Sequence, residues 1–467
     1  MGSQDILSTA RKALAVNVDK SRYGSFAEIG AGQEVARYFF KAGLASQTIA
    51  KTMSAYDMTF SDEIYGREES GRYVVESRLH KMLKKEFNLL AERLDQERGE
   101  HSAFFAYANT VATSSKPNRS HGWMGIRFQD QPRQPANEIF IHVKMKDPQR
   151  LQQQEAIGVL GVNLVHAAFF HNKDYRVFVS HLMDNLNAQR IEIDMIHFDG
   201  PIFNHFENRL ASLELVAQGF TPAVLFDPEG HITQLTENFF HKSVLIQRGT
   251  FRPFTKTNAE IIDAGLAQIT SQSADGTSPQ VLLELTMKDL NKRDETNTID
   301  TKDFGDRLDT LKTLNHYVLV SRFSLFYQLK NYLRQSTDGK IYIVVGASLL
   351  EKIFDEQYYD DSLGGPLSAF GQLFDRNTQL LVFPYKTDKI CMTAKSFFPP
   401  NTLTPIYQFL TSNEYIVDIS GCDHVDTSLH SEDVRMLLSQ NNQKWEELVP
   451  KKIAQLIKEK NLFGYKK

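Results

Sequence analysis

In the stretch VLIQRGTFRPFTKTN, Val244 to Asn258, three cations (Arg248, Arg252 and Lys256) fall within nine residues around one glycine. Val244, Leu245 and Ile246 form an apolar run of strand type, Gly249 permits a tight exit, and Pro253 stiffens the loop that follows. Thr257 and Glu260 have capping-box spacing, which predicts that a helix begins there. A helix start offers free N–H groups to an anion, and cations beside it make a phosphate site. The competing reading pairs the three cations with surface carboxylates and leaves the cap as a cap.

Other constellations carry weaker chemistry. In IEIDMIHF the alternation sets Glu192 and Asp194 on one face and Ile191, Ile193 and Met195 on the other. Paired carboxylates can hold a metal or work as acid and base, but a half-exposed strand with a solvated face is the preferred reading. EIGAGQEVARYF places Gly30 and Gly32 before a helix with Val35, Ala36, Phe39 and Phe40 on one side. The dinucleotide fingerprint needs a third glycine where Val35 stands and a clear strand before it, and RYGSFAEI reads as a poor strand. A glycine turn is expected, with Arg37 or Lys41 as the remaining anion contacts. HGWMG reads as a loop in which His121 and Trp123 pack at a turn. His142, His197 and His205 also occur, without an H-x-x-x-H pair and acidic partner, so no dedicated metal site is expected.

The elements that must position these residues fall into three zones. Residues 1–130 read as mainly helical, and ESRLHKMLKKEFNLLAERLDQERGE aligns Leu79, Leu83, Phe87, Leu90 and Leu94 on one stripe. SSKPNRSHG follows as a loop. Residues 137–230 form an α/β region with strands in IFIHVKM, IEIDMIHF and AVLFD, and a helix in HFENRLASLELVAQGF. Residues 241–467 repeat strand and helix: VLIQRG, VLLELTM, YVLVS, IYIVVG and QLLVFPY alternate with segments such as DFGDRLDTLKTL and FSLFYQLKNYLR. Such βα units predict a Rossmann-like parallel sheet covered on both faces, with ligands beyond the carboxyl ends of its strands. The expected fold class is therefore α/β, a Rossmann-like parallel sheet of the nucleotide-binding type preceded by a mixed α/β region and a mainly helical N-terminal region, with the 244–258 corner at the end of the first strand of that sheet.

A chain of 467 residues predicts two or three domains, and 41% hydrophobic with 24% charged residues is a globular composition. A net charge of −4 gives no reason to expect nucleic acid or an acidic membrane as partner. Cys391 and Cys422 allow one bridge at most, which excludes a disulfide framework. MGSQDILSTARKALAV lacks the pattern of a signal peptide, and AIGVLGVNLVHAAFF is shorter than the ~18 residues of a membrane span. A buried helix and a cytoplasmic location are expected.

RGTFRPFTKTN resembles the G-x-F-x-P-x-H-x-G-H segment of the HxGH nucleotidyltransferases, which include nicotinate-nucleotide adenylyltransferases and cytidylyltransferases. Gly249, Phe251 and Pro253 match that frame, while Thr255, Thr257 and Asn258 stand where the family has its first histidine, glycine and second histidine. IYIVVGASLLEKIFDEQYY is similar to the family's G-A-D-S-L segment, with Gly346, Ala347, Ser348 and Leu349 matching and the acidic residue absent. Ser431 and Arg435 match its S-S-T-x-x-R helix start, where Glu432 replaces threonine. The resemblance covers roughly the last half of the chain. In the first half, FAEIGAGQEVARYFF and KTMSAYDMTFSD resemble uncharacterised bacterial proteins often labelled adenylyltransferases.

The resemblance implies adenylyl, less readily cytidylyl, transfer from ATP with Mg²⁺ to a phosphorylated acceptor such as nicotinate mononucleotide. It puts Thr255 and Asn258 in the places of the transition-state donors, and Gly249 and Thr250 at the turn and phosphate contact. Arg248, Arg252 and Lys256 would neutralise phosphate, Gly346 and Ser348 would border the nucleotide, and Ser431 with Arg435 would grip the triphosphate. Neither threonine nor asparagine can become cationic. A working transferase therefore stands beside a nucleotide-binding or regulatory protein that has lost the chemistry. An independent enzyme in residues 137–230, using Glu192 and Asp194, is the third reading.

Overall fold

The computed structural model describes residues 6–116, 119–272, 276–290, 299–386, 391–419 and 431–466. The chain divides into two units, Met1–Pro222 and Ala223–Lys467.

The first unit runs α1 (Thr9–Asn17), β1 (Arg22–Gly30), α2 (Val35–Ala42), β2 (Ile49–Ala55), α3 (Met58–Tyr65), α4 (Glu76–Arg98) and β3 (Ala103–Ala112). It continues through β4 (His121–Gln129), β5 (Ala136–Met145), α5 (Arg150–Phe170), α6 (Tyr175–Leu182), β6 (Ile191–Asp199) and α7 (Asn208–Ala217). The six strands form one sheet in the order β2-β1-β3-β4-β5-β6. β1 pairs parallel with both neighbours, and β3 to β6 form an antiparallel meander. Alternate residues of the sheet, among them Phe105, Tyr107, Ile126, Ile139 and Ile141, make the main core with the apolar α5. The opposite face takes α4, whose Phe87 and Leu90 pack on Phe104 and Ala106.

Residues 1–130 thus contribute four strands as well as helices, and these share a sheet with β5 and β6. RYGSFAEI, a poor strand by pattern, is β1, buried at six successive positions. A strand flanked on both sides and buried along its length has no solvent face to generate alternation, and it selects small residues instead. At Gly24 an added Cβ would stand 2.4 Å from the Phe105 ring. HGWMG is the start of β4 rather than a loop, and Trp123 is buried there. The apolar AIGVLGVNLVHAAFF lies in α5, as a buried helix.

The second unit opens with β7 (Ala223–Phe226), β8 (Ile232–Thr233) and α8 (Leu235–Phe239), then β9 (Val244–Arg248), α9 (Lys256–Gln272) and β10 (Gln280–Thr286). Next come α10 (Met287–Leu290), α11 (Thr301–Lys312), β11 (Tyr317–Ser321), α12 (Phe326–Arg334), β12 (Ile341–Gly346), α13 (Leu350–Ile353), α14 (Gly365–Leu373) and β13 (Thr378–Phe383). A small hairpin, β14 (Tyr385–Lys386) and β15 (Cys391–Met392), precedes α15 (Thr404–Ser412), β16 (Ile416–Asp418), α16 (Ser431–Ser439) and α17 (Lys451–Lys460). Trp445, in the turn before α17, is buried against Tyr465.

The sheet order is β16-β13-β12-β9-β10-β11-β7-β8. Strands β9 to β13 and β16 are parallel, and β7 and β8 add antiparallel at one edge. Counted from β9, the parallel strands run six-five-four-one-two-three, the order of the doubly wound nucleotide-binding fold. The chain reverses direction across the sheet between β9 and β12, so a crevice opens beyond their carboxyl ends. Each strand expected from residues 244 to 383 is present. Among the described residues no helix is long and apolar enough to cross a membrane.

Candidate functional site

The corner after β9 lies at this reversal point. Arg248 ends β9 directly opposite Glu284 of β10. Its guanidinium bonds that carboxylate twice, at 2.7 and 3.0 Å, and lies 4.4 Å from the Phe326 ring centre. Glu284 is wholly buried and also accepts from Ser321 Oγ at 2.6 Å. The charge expected to meet phosphate is therefore matched by a carboxylate. Arg252 is likewise paired, with Asp303 of α11, and Asp303 also holds the buried Arg307. Arg307 donates to the carbonyls of Thr250 (2.9 Å) and Asp289 (2.8 Å), fixing the loop from beneath.

The loop itself is tight. Phe251 has φ 44°, and its ring covers Gly249 so closely that a Cβ there would stand 2.7 Å away. Thr255 is buried and bonds reciprocally with Asn258: Thr255 Oγ1 donates to Asn258 Oδ1 at 2.9 Å, and Asn258 N donates to Thr255 Oγ1 at 3.3 Å. The backbone N of Thr255 reaches the same Oδ1 at 3.0 Å. This is capping-box geometry. It begins α9 at Lys256, two residues before the start expected from Thr257 and Glu260. The buried Thr255 hydroxyl sits where the helix first needs an acceptor, so it takes the cap. The two residues at the family's histidine positions therefore bond one another.

Thr250 and Ser431, 181 residues apart, are brought together with hydroxyl oxygens 3.1 Å apart. Arg435, one turn along α16, pairs with Glu432 at 3.2 Å. Gly346 ends β12, the neighbour of β9, and Ser348 is exposed just beyond it. Lys256 is exposed and forms no ion pair among the described residues.

A cavity of about 230 Å³ opens on the same edge, lined by Arg248, Lys288, Phe326, Lys352, Tyr358 and Tyr359 among others. Lys288 follows β10 and Lys352 follows β12; both are exposed and make no ion pair among the described residues. Sequence reasoning missed both lysines and the aromatic wall. The available signal was position, because each lies in the short helix that follows a strand whose carboxyl end faces the crevice.

The other constellations resolve differently. Glu192 and Asp194 do not face solvent: Glu192 is buried against Lys146 (2.9 Å) and Thr221 (3.1 Å), and Asp194 lies against His142 (2.5 Å). At the Gly30–Gly32 turn, Glu28 accepts from the N–H groups of Val35 (3.0 Å) and Ala36 (3.4 Å). Burial pushes that carboxyl up to about 7, opposed by these bonds. The start of α2 is thus filled by the chain's own side chain, and Arg37 pairs with Glu34. Among the described residues no group of three His, Cys, Asp or Glu side chains is arranged to hold a metal ion.

No family model matches the chain, and no curated protein matches it either. Among solved structures, the competence/damage-inducible protein CihA from Agrobacterium tumefaciens is 15% identical, with 36% of this chain and 97% of that chain covered, at a TM-score of 0.27. A nicotinic acid mononucleotide adenylyltransferase from Plasmodium falciparum is 12% identical over 48% of this chain and 99% of its own, at 0.29. A CinA superfamily protein from Enterobacter cloacae is 10% identical over 36% and 94%, at 0.26. Similarity at this level assigns neither a family nor an activity.

Proposed function

We propose that the second unit binds the phosphates of a nucleotide at the crevice between β9 and β12, in a site of nucleotidyltransferase type that acts as a binding or regulatory site. The observation that carries this reading is the cavity at the strand ends, with Lys288 and Lys352 unpaired among the described residues beside an aromatic wall. An aromatic surface suits a base, and the lysines suit phosphate. Lys256 and the N–H groups at the start of α9 extend the positive edge. Mg²⁺ would enter with the triphosphate, held by phosphate oxygens and water, since such ions seldom need an all-protein cage.

The capping of Thr255 by Asn258 favours binding over chemistry, because a side chain committed to a helix start is not free to follow charge onto a leaving pyrophosphate. The second reading is adenylyl, less readily cytidylyl, transfer to nicotinate mononucleotide or a similar acceptor. The Thr250–Ser431 contact favours it, since it joins the loop to the helix that would grip the triphosphate. Calorimetric titration of the full chain with ATP, CTP, NAD and nicotinate mononucleotide, each with Mg²⁺, tests both, with pyrophosphate release followed on the same preparation. Binding that weakens at least about tenfold in Lys288→Ala, Lys352→Ala, without pyrophosphate release, is the expected result; a tenfold loss is 1.4 kcal/mol. Release at enzymatic rates establishes the second reading. No binding of any of the four removes both.

A further inference from the structure

Four strands end the two large sheets: β2 and β6 in the first unit, β8 and β16 in the second. An edge strand offers unpaired N–H and C=O groups to any chain that can pair with them, so most edges are blunted. β8 and β16 are only two and three residues long. β6 is closed by its own chain: Asn208 donates to Phe198 O at 3.0 Å and its Oδ1 accepts from Phe198 N at 2.8 Å, while Phe220 O accepts from Ile193 N at 3.1 Å. β2 differs from all three. It is seven residues long and holds no proline, and among the described residues its backbone has no hydrogen-bond partner besides β1.

The side chains of β2 do not guard the edge either. Lys51 is the only charged residue of the strand, and its Nζ is drawn to Glu86 of α4 at 2.6 Å. Met53 lies on the same face, 4.0 Å from the Tyr65 hydroxyl. Thr52 and Ser54 point to the other face and are exposed, lining an open hollow with Phe40 of α2. Apolar side chains flank both ends of the strand. Phe40 and Leu44 precede it, Tyr56, Met58 and Phe60 follow it, and all five are between 53% and 81% exposed. Single exposed apolar residues are ordinary, whereas five around one bare strand mark an interaction surface.

We infer that β2 pairs antiparallel with β2 of a second copy of this chain, so that two six-stranded sheets become one. Self-pairing fits the sequence around the strand. An antiparallel two-fold contact lays the end after β2 beside the end before it, so Tyr56 and Met58 of each copy approach Leu44 of the other, and the contact is made twice. Centring the pair on Thr52, the middle of the strand, engages all seven residues. It also sets Lys51 opposite Met53 of the other copy, which keeps the two lysines from facing each other. With aromatic side chains covering ~150–250 Å² each, the five apolar residues withdraw roughly 500 Å² per copy. The strand backbone adds to this, and the total reaches the ~1,200 Å² at which specific interfaces begin.

Light scattering of the full chain over a concentration series tests the pairing. The mass should rise to that of a dimer, and amide exchange across residues 49–55 should slow over the same range. Tyr56→Glu, Met58→Glu, with the circular dichroism of the wild type, should weaken the dimer at least about tenfold, since it buries charge where apolar surface met. Thr52→Cys should cross-link to its own copy under mild oxidation, because opposite Cα atoms of an antiparallel pair stand about 4.5–5.5 Å apart, inside the disulfide range. Ser54→Cys should not, since four residues of offset put its two copies ~13 Å apart. A chain still monomeric at ~100 µM binds too weakly for an interface of this size and overturns the proposal. So does a dimer that ignores the double glutamate variant, exchange at 49–55 that is independent of concentration, or cross-linking through Ser54→Cys and not Thr52→Cys.

Discussion

Thr255→Ala separates a capping role from a chemical one. The substitution removes the hydroxyl that donates to Asn258 Oδ1 at 2.9 Å and accepts from Asn258 N at 3.3 Å. Losing a threonine cap costs about 1 kcal/mol. The γ-methyl lost with it belongs to a residue that is 2% exposed, and a buried carbon of that size adds about 0.8 kcal/mol. The sum is roughly 2 kcal/mol, or a fall of about 4–8 °C in the transition of a unit of this size. Scanning calorimetry of the full chain measures the shift, and titration with ATP measures the site. The expected outcome is the thermal loss with ATP affinity held within about threefold, since Lys256, Lys288 and Lys352 are untouched. Thr255→Ser, which keeps the cap, should recover about half the loss. The reasoning fails if stability is unchanged while pyrophosphate release drops by ~10² to 10³, the signature of a lost transition-state donor.

Three further outcomes follow from the same geometry. Glu284→Gln leaves the Arg248 guanidinium without its charge partner, and because Arg248 is 15% exposed the cost should fall at the low end for a broken buried pair, about 3 kcal/mol by urea unfolding; less than about 1 kcal/mol would mean that water already serves the arginine. Gly249→Ala drives a methyl group against the Phe251 ring and should cost about 1–3 kcal/mol as overpacking, with Phe251→Leu in the same chain relieving part of it. For His80, burial lowers the pKa, but hydrogen bonds to Glu138 and Glu76 outweigh it and raise it to about 9. A pKa raised in the folded state contributes stability that is whole below about 6.5 and is lost as pH climbs through 9. The urea midpoint should therefore drop between pH 6.5 and 9.5 in the wild type, and a drop of equal size in His80→Gln would rule the histidine out.

Five strands of the second unit's parallel sheet were legible because each is an apolar run, as with IYIVVG, whereas the sixth, Ile416–Asp418, is only three residues long and was missed. The corner's frame was legible too, since Gly249 and Pro253 act locally. What those residues meet was not. Glu284, Asp303 and Arg307 neutralise or brace the loop from 36 or more positions along the chain, across strands and helices whose pairing no local pattern encodes. The first unit hid more. Alternation correctly separated Glu192 and Asp194 from their apolar neighbours, but their face is covered by partners on β5, and the bulge opposite His142 follows from pairing alone. RYGSFAEI lost its signal for the reason that makes it central: a strand buried on every side has nothing polar to alternate with.

The two tryptophans of the chain, Trp123 in the first unit and Trp445 in the second, are both buried. Each unit therefore carries one intrinsic fluorophore shielded from water, whose emission reddens when that unit opens. A chain with Trp123→Phe reports on the second unit alone, and one with Trp445→Phe on the first. Denaturation of two units in one polypeptide can be resolved spectroscopically without labels and without cutting the chain. Fluorescence from Trp445 follows Thr255→Ala or Glu284→Gln in the unit that holds the substitution, and Trp123 serves His80→Gln in the same way.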